Sequence, residues 1–330
     1  MQEVQTIEKK IFTVNGETAF ERLALEVFRF QYAHNAVYRR FADALGRKPH
    51  AVQTIGDIPF LPIELFKTHR VVCGDFEPEA VFLSSGTTGA TTSRHYVKSL
   101  GLYEKSFLQG FQRFFGKPEK YVFLALLPSY LERSGSSLVY MADRLIRHSG
   151  RDESGFYLHD YKALADRLLY LKQQKRPVIL LGVTYALLDL AEQYPMDFPG
   201  LMVMETGGMK GRRREMVREE LHAILQKAFG VKMIFSEYGM TELLSQAYSR
   251  GNGLFTTPPW MKVLMRDVND PLTYVPEGKS GGINVIDLAN LYSCSFIATQ
   301  DLGKRHSPGG FEVLGRFDNS DVRGCNLLVG

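Results

Sequence analysis

The sequence predicts an α/β protein in which mostly parallel sheets are flanked by helices and a β-rich lobe follows. Three observations carry this reading. Short apolar runs rich in β-branched and aromatic residues alternate with amphipathic stretches, as βαβ units with strands buried on both faces require. From Trp260 onward the texture changes, and Gly, Pro and Asn punctuate short strand-like segments. The 330 residues, 45% hydrophobic and 23% charged, suffice for one large or two typical domains with substantial cores, which excludes disorder and fibre.

Taken in order, Phe20, Leu23, Val27, Phe28, Tyr32, Val37, Phe41 and Leu45 recur at three- and four-residue steps, so helices with one buried face are expected from Glu17 to Leu45. Gly46 follows as a stop. The prolines of Ile58-Pro59-Phe60-Leu61-Pro62 deny helix and predict an extended connector into a strand at Val71-Val72-Cys73. Further strands are expected at Ala80–Leu83, Tyr121–Leu127, Pro177–Gly182, Leu201–Met204 and Val231–Phe235. Helices are expected at Ser99–Phe115, Leu138–His148, Asp160–Gln173, Tyr185–Gln193 and Arg213–Phe229. In the last part, Gly282–Asp287, Phe296–Thr299 and Phe311–Leu314 read as strands. The expected division is a helical segment packed on the body over 1–78, an α/β core over 79–258 and the β-rich lobe over 259–330. No internal repeat or low-complexity segment interrupts it.

Forty Lys plus Arg against 36 Asp plus Glu leave a net charge of only +4, spread along the chain, and no nucleic-acid partner follows from it. The densest basic stretch, Lys210-Gly211-Arg212-Arg213-Arg214, is a short turn that faces solvent or phosphate. Cys73, Cys294 and Cys325 are odd in number and lack CxxC spacing, which argues against a disulfide framework and a zinc site. MQEVQTIEKKIF has no signal-like apolar run, and no stretch reaches the roughly 18 apolar residues that span a bilayer. A cytoplasmic protein is expected.

Three segments carry chemistry. Ser84, Ser85, Gly86, Thr87, Thr88 and Gly89 follow a short apolar strand, and their backbone N–H groups and hydroxyls suit a phosphate cradle; a Ser/Gly-rich turn is the bland alternative. The segment is not a Walker A loop, because no lysine stands at position 90. Ser236-Glu237-Tyr238-Gly239-Met240-Thr241-Glu242 follows an expected strand, which puts it at the carboxyl edge where open α/β sheets bind ligands. There Thr241 can hold a phosphate oxygen and Glu242 a divalent cation; alternatively, Thr241 caps a helix and Glu242 complements its dipole. Asp301 of Asp301-Leu302-Gly303, with Arg316 a hairpin away, can bind the two hydroxyls of a ribose, or the Asp-Leu-Gly is simply a turn.

In this order and at these spacings, SSGTTG, YGMTE and DLG…GGFEVLGRFD…RG resemble the adenylate-forming superfamily of acyl- and aryl-CoA ligases, firefly-type luciferases and peptide-synthetase adenylation domains. The resemblance covers Ser84 to Gly324. It implies the large adenylating domain of the acyl-CoA synthetase type, with ATP and Mg²⁺ as cofactors. Thr87 and Thr88 would then contact ATP phosphates, Thr241 the AMP phosphate, Glu242 the Mg²⁺, and Asp301 with Arg316 the ribose. It also draws Gly207, Gly208, Tyr238 and Gly239 into the nucleotide site. The motifs IPFLPIELFKTHRV, ETGGMKGRRRE and RGCNLLV look more narrowly like the LuxE-type acyl-protein synthetases of fatty-acid reductase complexes. Phenylacetate-CoA ligases are similar more weakly, in the same three motifs.

The LuxE-type resemblance implies activation of a carboxylic, and by family a fatty, acid to acyl-AMP. The acyl group then passes to Cys325 as a thioester, and an acyl-CoA-reductase-like partner takes it. Arg323, two residues away, can share a strand face with Cys325 and lower its thiol pKa from about 8.5; a buried strand beginning at Cys325 is the alternative. Most of the superfamily continue past the Arg-Gly hinge into a small domain whose lysine orients the carboxylate. Here six residues follow Gly324 and the last lysine is Lys304, so that domain is expected to be absent, with Lys210 the candidate substitute. Leu127 to Leu131 and Gly135 to Ser137 are candidates for a wall of the acyl slot, or for a loop and helix N-cap. The competing readings are an acyl- or aryl-CoA ligase and a non-catalytic nucleotide- or acyl-adenylate-binding subunit. Chain length of the acid and oligomeric state, a homo-oligomer included, stay open.

Overall fold

The computed structural model describes residues 2–84, 91–128, 135–208, 216–307 and 309–316. These fall into two compact units, one made of Met1–Phe76 with Pro259–Gly330 and the other of Glu77–Pro258.

In the Glu77–Pro258 unit, β4 (Val122–Leu126), β5 (Gly155–Tyr157), β6 (Val178–Val183), β7 (Leu201–Thr206) and β8 (Phe235–Tyr238) form a parallel sheet. Its order is β8-β7-β6-β4-β5, and β9 (Ala247–Ser249) and β10 (Phe255–Thr256) add antiparallel strands beyond β8. Every residue of β4 and β6 is buried, as expected for parallel strands covered on both faces. Three helices of this unit start on side-chain caps. Ser99 Oγ accepts from Leu102 N before α5 (Leu100–Phe115), Ser136 Oγ from Val139 N before α6 (Ser137–Ser149), and Asp160 Oδ1 from Ala163 N before α7 (Tyr161–Gln173). Each supplies an acceptor for a backbone donor that the first helical turn leaves unpaired. The helices α8 (Thr184–Gln193) and α9 (Arg218–Phe229) follow β6 and β7.

Three expectations move here. The strand expected at Val231–Phe235 begins only at Phe235, because Val231 N is spent on Gln226 O in the cap that ends α9. Ser236, Glu237 and Tyr238 are therefore part of the strand, and the carboxyl edge begins at Gly239. The strand β2 (Ala80–Leu83) stays out of the parallel sheet. It pairs antiparallel with β3 (Arg94–Val97), so the Ser84–Gly89 segment joins two strands of a hairpin instead of a strand and a helix. The helix expected from Arg213 begins at Arg218; residues 209–215 lie outside the described residues.

In the other unit, α1 (Gln2–Ile11), α2 (Glu17–His34) and α3 (Ala36–Ala44) precede the extended connector, whose β1 (Leu61–Pro62) runs parallel to β13 (Phe296–His306). The short helix α4 (Leu65–Thr68) follows. The periodic stretch from Glu17 to Leu45 is broken at Asn35, whose Oδ1 accepts from Val37 N and Tyr38 N, both at 3.0 Å. It stops at Gly46, φ +67°. The antiparallel strands β11 (Met261–Arg266), β12 (Ser280–Asp287), β13 and β14 (Gly310–Arg316) lie in that order. Val71-Val72-Cys73 is not a strand. Cys73 N donates to Tyr292 O and Ser293 Oγ to Val71 O, so the segment is tied to an irregular loop that offers no ladder. Cys73 and Cys294 are buried, and burial pushes the Cys294 thiol up to about 12, which keeps it protonated and inert. Among the described residues no helix is long and apolar enough to cross a membrane.

A buried amide links α2 to the loop between β12 and β13. Gln31 Nε2 donates to Asn290 O, Leu291 O and Ser295 Oγ, and its Oε1 accepts from Ser295 N at 2.9 Å. Around it Phe28, Tyr38, Phe60 and Phe296 pack edge-on and stacked. Replacing Gln31 by Leu keeps the volume and strands these partners, which should cost about 3 kcal/mol in urea denaturation. An unchanged midpoint would show that the amide contributes packing alone.

Candidate functional site

The segment Gly239–Gln246 links β8 to the antiparallel β9 at the carboxyl edge of the parallel sheet. Thr241 and Glu242 are the central residues of a turn closed by Leu243 N on Met240 O at 3.1 Å. No helix follows, so capping and dipole complementation do not account for these two residues. Thr241 is half-buried and Glu242 is buried. Leu243 and Leu244 anchor the segment in the core, and Ser245 Oγ shares a 2.9 Å hydrogen bond with Ser106 Oγ of α5.

The turn is also held from the hairpin. His95 of β3, 1% exposed, lies with Nδ1 2.8 Å from Thr241 O. A carbonyl only accepts, so Nδ1 carries the proton and donates. At the base of the same hairpin, Ser84 N donates to Ser93 O at 3.1 Å and Ser93 N to Ser84 Oγ at 2.9 Å. Ser84 thus closes the loop that carries Ser85, Gly86, Thr87, Thr88 and Gly89, which lie outside the described residues.

Tyr238, the last residue of β8, is largely buried and packs edge-on against Phe255, ring centroids 5.9 Å apart. Gly239 is exposed, and a Cβ there would lie 2.5 Å from Glu237 Oε1, so any side chain would have to displace that buried carboxyl. Gly207 and Gly208 are exposed just past the end of β7, and Gly207 O accepts from Thr184 Oγ1 at 3.0 Å. Lys210 and Cys325 lie outside the described residues. In the other unit, Asp301 sits within β13 rather than at a strand end, directly opposite Arg316 of β14, with Nε 3.5 Å from Oδ1. The carboxylate is mostly buried and the guanidinium mostly exposed. The Asp-Leu-Gly turn is therefore excluded, because all three residues are in the strand.

Sequence reasoning missed the buried acids that underlie this edge. Glu205 of β7 accepts from Thr184 Oγ1 at 3.4 Å and lies 3.6 Å from Arg218 Nε and 3.7 Å from His222 Nε2. Arg218 also stacks over the Phe255 ring, 5.0 Å from its centroid. Glu237 of β8 accepts from Thr206 Oγ1 and faces Tyr248 across the β8–β9 pair. The available signal was strand alternation through Phe235–Tyr238, had the strand been placed correctly. Nothing in the sequence marks His95.

Among the described residues no three His, Cys, Asp or Glu side chains gather as a metal cage. The buried carboxylate of Glu242 fits a cation that arrives with phosphate oxygens, since Mg²⁺ takes one or two carboxylates and completes its shell from phosphate and water.

Burial lifts the Glu237 carboxyl from 4.5 to about 7, with the Thr206 hydrogen bond opposing and the Glu205 charge adding to it. The protonated acid is the form the fold prefers, so its contribution is complete below about pH 4.5 and is lost as pH rises through about 7. Glu237→Gln, which mimics the neutral acid, should leave stability at pH 5 nearly unchanged. At pH 8 it should raise stability by about 3 kcal/mol in urea unfolding; an equal change at both pH values would contradict the assignment.

Residues 13–100 match the acyl-protein synthetase family LuxE. No curated protein matches the chain. Solved structures share the fold. ATP-bound MatB from Rhodopseudomonas palustris is 18% identical with a TM-score of 0.54 over 72% of this chain and 48% of its own. The chain thus spans about half the length of MatB. The 2-hydroxyisobutyryl-CoA ligase in complex with 2-HIB-AMP and CoA, in the thioesterification state, is 16% identical with a TM-score of 0.66 over 92% of this chain and 69% of its own. The same ligase in the postadenylation state with 2-HIB-AMP gives 0.64 at 15% identity over 90% and 68%. The chain is thus similar to the LuxE acyl-protein synthetases over residues 13–100, and its α/β fold is similar to those of MatB and the 2-hydroxyisobutyryl-CoA ligase.

Proposed function

We propose that this protein is an AMP-forming ligase of the acyl-protein synthetase type, which activates a carboxylic, by family a fatty, acid with ATP and stores it on Cys325. The observation that carries the reading is the Thr241–Glu242 turn. It stands at the carboxyl edge of a parallel sheet and is hydrogen-bonded to the hairpin that bears the Ser84–Gly89 segment. Such an edge is where open α/β sheets bind ligands, and the LuxE match supports the acid-activating chemistry.

In this reading the backbone N–H groups of Ser84–Gly89, with the Thr87 and Thr88 hydroxyls, hold the ATP phosphates, and Thr241 holds the α-phosphate. Gly207, Gly208, Tyr238 and Gly239 border the nucleotide. Asp301 with Arg316 takes the ribose hydroxyls. Glu242 is the residue that holds Mg²⁺, whose contribution when bound is to offset phosphate charge. Lys210 supplies a cation for the acid's carboxylate. A carboxylate oxygen attacks the α-phosphorus, the bond to the bridging oxygen breaks, and pyrophosphate leaves with those electrons. The Cys325 thiolate, its proton already lost to solvent, then attacks the acyl carbon of the mixed anhydride. The acyl–oxygen bond breaks, AMP leaves and a thioester remains. A reductase-type partner receives the acyl group from Cys325.

A second reading, with CoA as the acceptor, is favoured by the fold shared with a ligase solved with CoA bound. Mass spectrometry of the intact protein after incubation with ATP and a panel of fatty and aromatic acids separates the two. An acyl adduct removed by hydroxylamine and absent from Cys325→Ser is expected. Free acyl-CoA with no protein adduct would replace the cysteine by a soluble thiol.

A further inference from the structure

We propose that Arg266 is the positioning residue for Asp301, holding open the strand irregularity that presents this carboxylate; the proposal rests on the reading of Asp301 as the ribose-binding acid. The register of β12 against β13 jumps from Gly282↔Leu302 to Asn284↔Ala298. Ile283 alone on β12 thus faces Thr299, Gln300 and Asp301 on β13. A ladder so interrupted leaves backbone groups that must find other partners.

The Arg266 guanidinium supplies them. It is the last residue of β11, opposite Gly282, and is 7% exposed. Its Nη1 donates to Ile283 O at 2.8 Å and to Asn284 Oδ1 at 2.9 Å, and its Nη2 donates to Thr299 O. Thr299 Oγ1 donates to Ile283 O at 2.9 Å and accepts from Asp301 N at 3.1 Å. The carbonyls on both sides of the irregularity are thus gathered by one planar fork, and the amide of Asp301 is held by the hydroxyl beside it. A planar fork of fixed geometry serves divergent acceptors in a way the single ammonium of lysine does not. The guanidinium reaches them by crossing Gly282, where a Cβ would lie 2.6 Å from Cζ. Within the irregularity, Asp301 pairs on its other side with Arg316 of β14, and its carboxylate stands at the partly solvent-open surface that the pair shares. The two registers differ by two residues, so a β13 that regained a regular register without the fork would keep Asp301 on the same face but slide it two positions along β12, out of its present alignment.

The test uses the full chain and reads ATP–pyrophosphate exchange with ATP, 2′-deoxy-ATP and 3′-deoxy-ATP. Wild type should prefer ATP, and Asp301→Asn should abolish that preference. Arg266→Lys, and Thr299→Val, which removes the hydroxyl beside Asp301 without changing charge, should each raise the ATP KM about tenfold and erase most of the preference for the hydroxylated sugar. In both variants kcat should fall much less than KM rises, since the phosphate contacts are untouched. If Asp301→Asn keeps the preference, the ribose reading fails. If Asp301→Asn loses it while the other two variants keep it, the ribose reading stands and the positioning role is overturned. An Arg266→Lys chain that does not fold leaves the decision to Thr299→Val, where a retained preference overturns the proposal.

Discussion

The hydrogen bond from His95 Nδ1 to the carbonyl of Thr241 is the contact on which the candidate chemistry of the Glu77–Pro258 unit depends. It joins two pieces that the chain separates by 146 residues, the hairpin of β2 and β3 and the turn between β8 and β9. A turn is ordinarily the least constrained part of a sheet protein. This one is fixed at Thr241 O by a buried imidazole, at Ser245 by Ser106, and at Leu243 and Leu244 by core packing. Thr241 and Glu242 are thereby held in place before any ligand arrives. Preorganised donors and charges cost no rearrangement when phosphate charge moves, and this is how a fixed turn contributes to a transfer reaction.

The same principle runs through the buried polar groups. Glu205, Glu237 and Arg266 are ionisable side chains almost fully removed from water, and each is costly unless its neighbours answer it. Arg218, His222 and Thr184 surround Glu205, and Thr184 extends the network to the Gly207 carbonyl. Thr206 donates to Glu237, whose carboxyl fills the space that Gly239 leaves. Arg266 answers carbonyls freed by the break in the β12–β13 ladder. In each case a costly group lies beneath a backbone segment that the sequence marks as chemical.

The α/β class, the alternation of elements and most helix limits were legible because they rest on local periodicity and caps. Ser99 and Asp160 begin helices where the pattern says they should, and Gly46 ends one. What periodicity does not contain is pairing. The apolar run Ala80–Leu83 reads the same whether its neighbour is a parallel strand or Arg94–Val97, and the hairpin was missed for that reason. The run that begins at Val231 reads as a strand, but Val231 N is taken by the end of α9, so the strand starts only at Phe235, closer to the motif. Asp301-Leu302-Gly303 has turn composition yet lies in a strand whose irregularity depends on Arg266, some thirty-five residues earlier in the chain. The candidate residues Thr241, Glu242, Asp301 and Arg316 were named from sequence motifs, but their neighbours His95 and Arg266 belong to partners that only the fold supplies. The LuxE likeness is borne out over residues 13–100, and the expected α/β fold by its likeness to solved ligase structures.

The central claim is that the fixed Thr241–Glu242 turn serves the first half-reaction, and the most direct measurement is ATP–pyrophosphate exchange by Glu242→Gln beside wild type. The substitution removes one charge at constant shape. With the best acid found for wild type, exchange by the variant should fall at least about a hundredfold, and raising Mg²⁺ should recover only part of it. Exchange at the wild-type rate would contradict the account, because a turn held this firmly would then be present for some purpose other than moving phosphate.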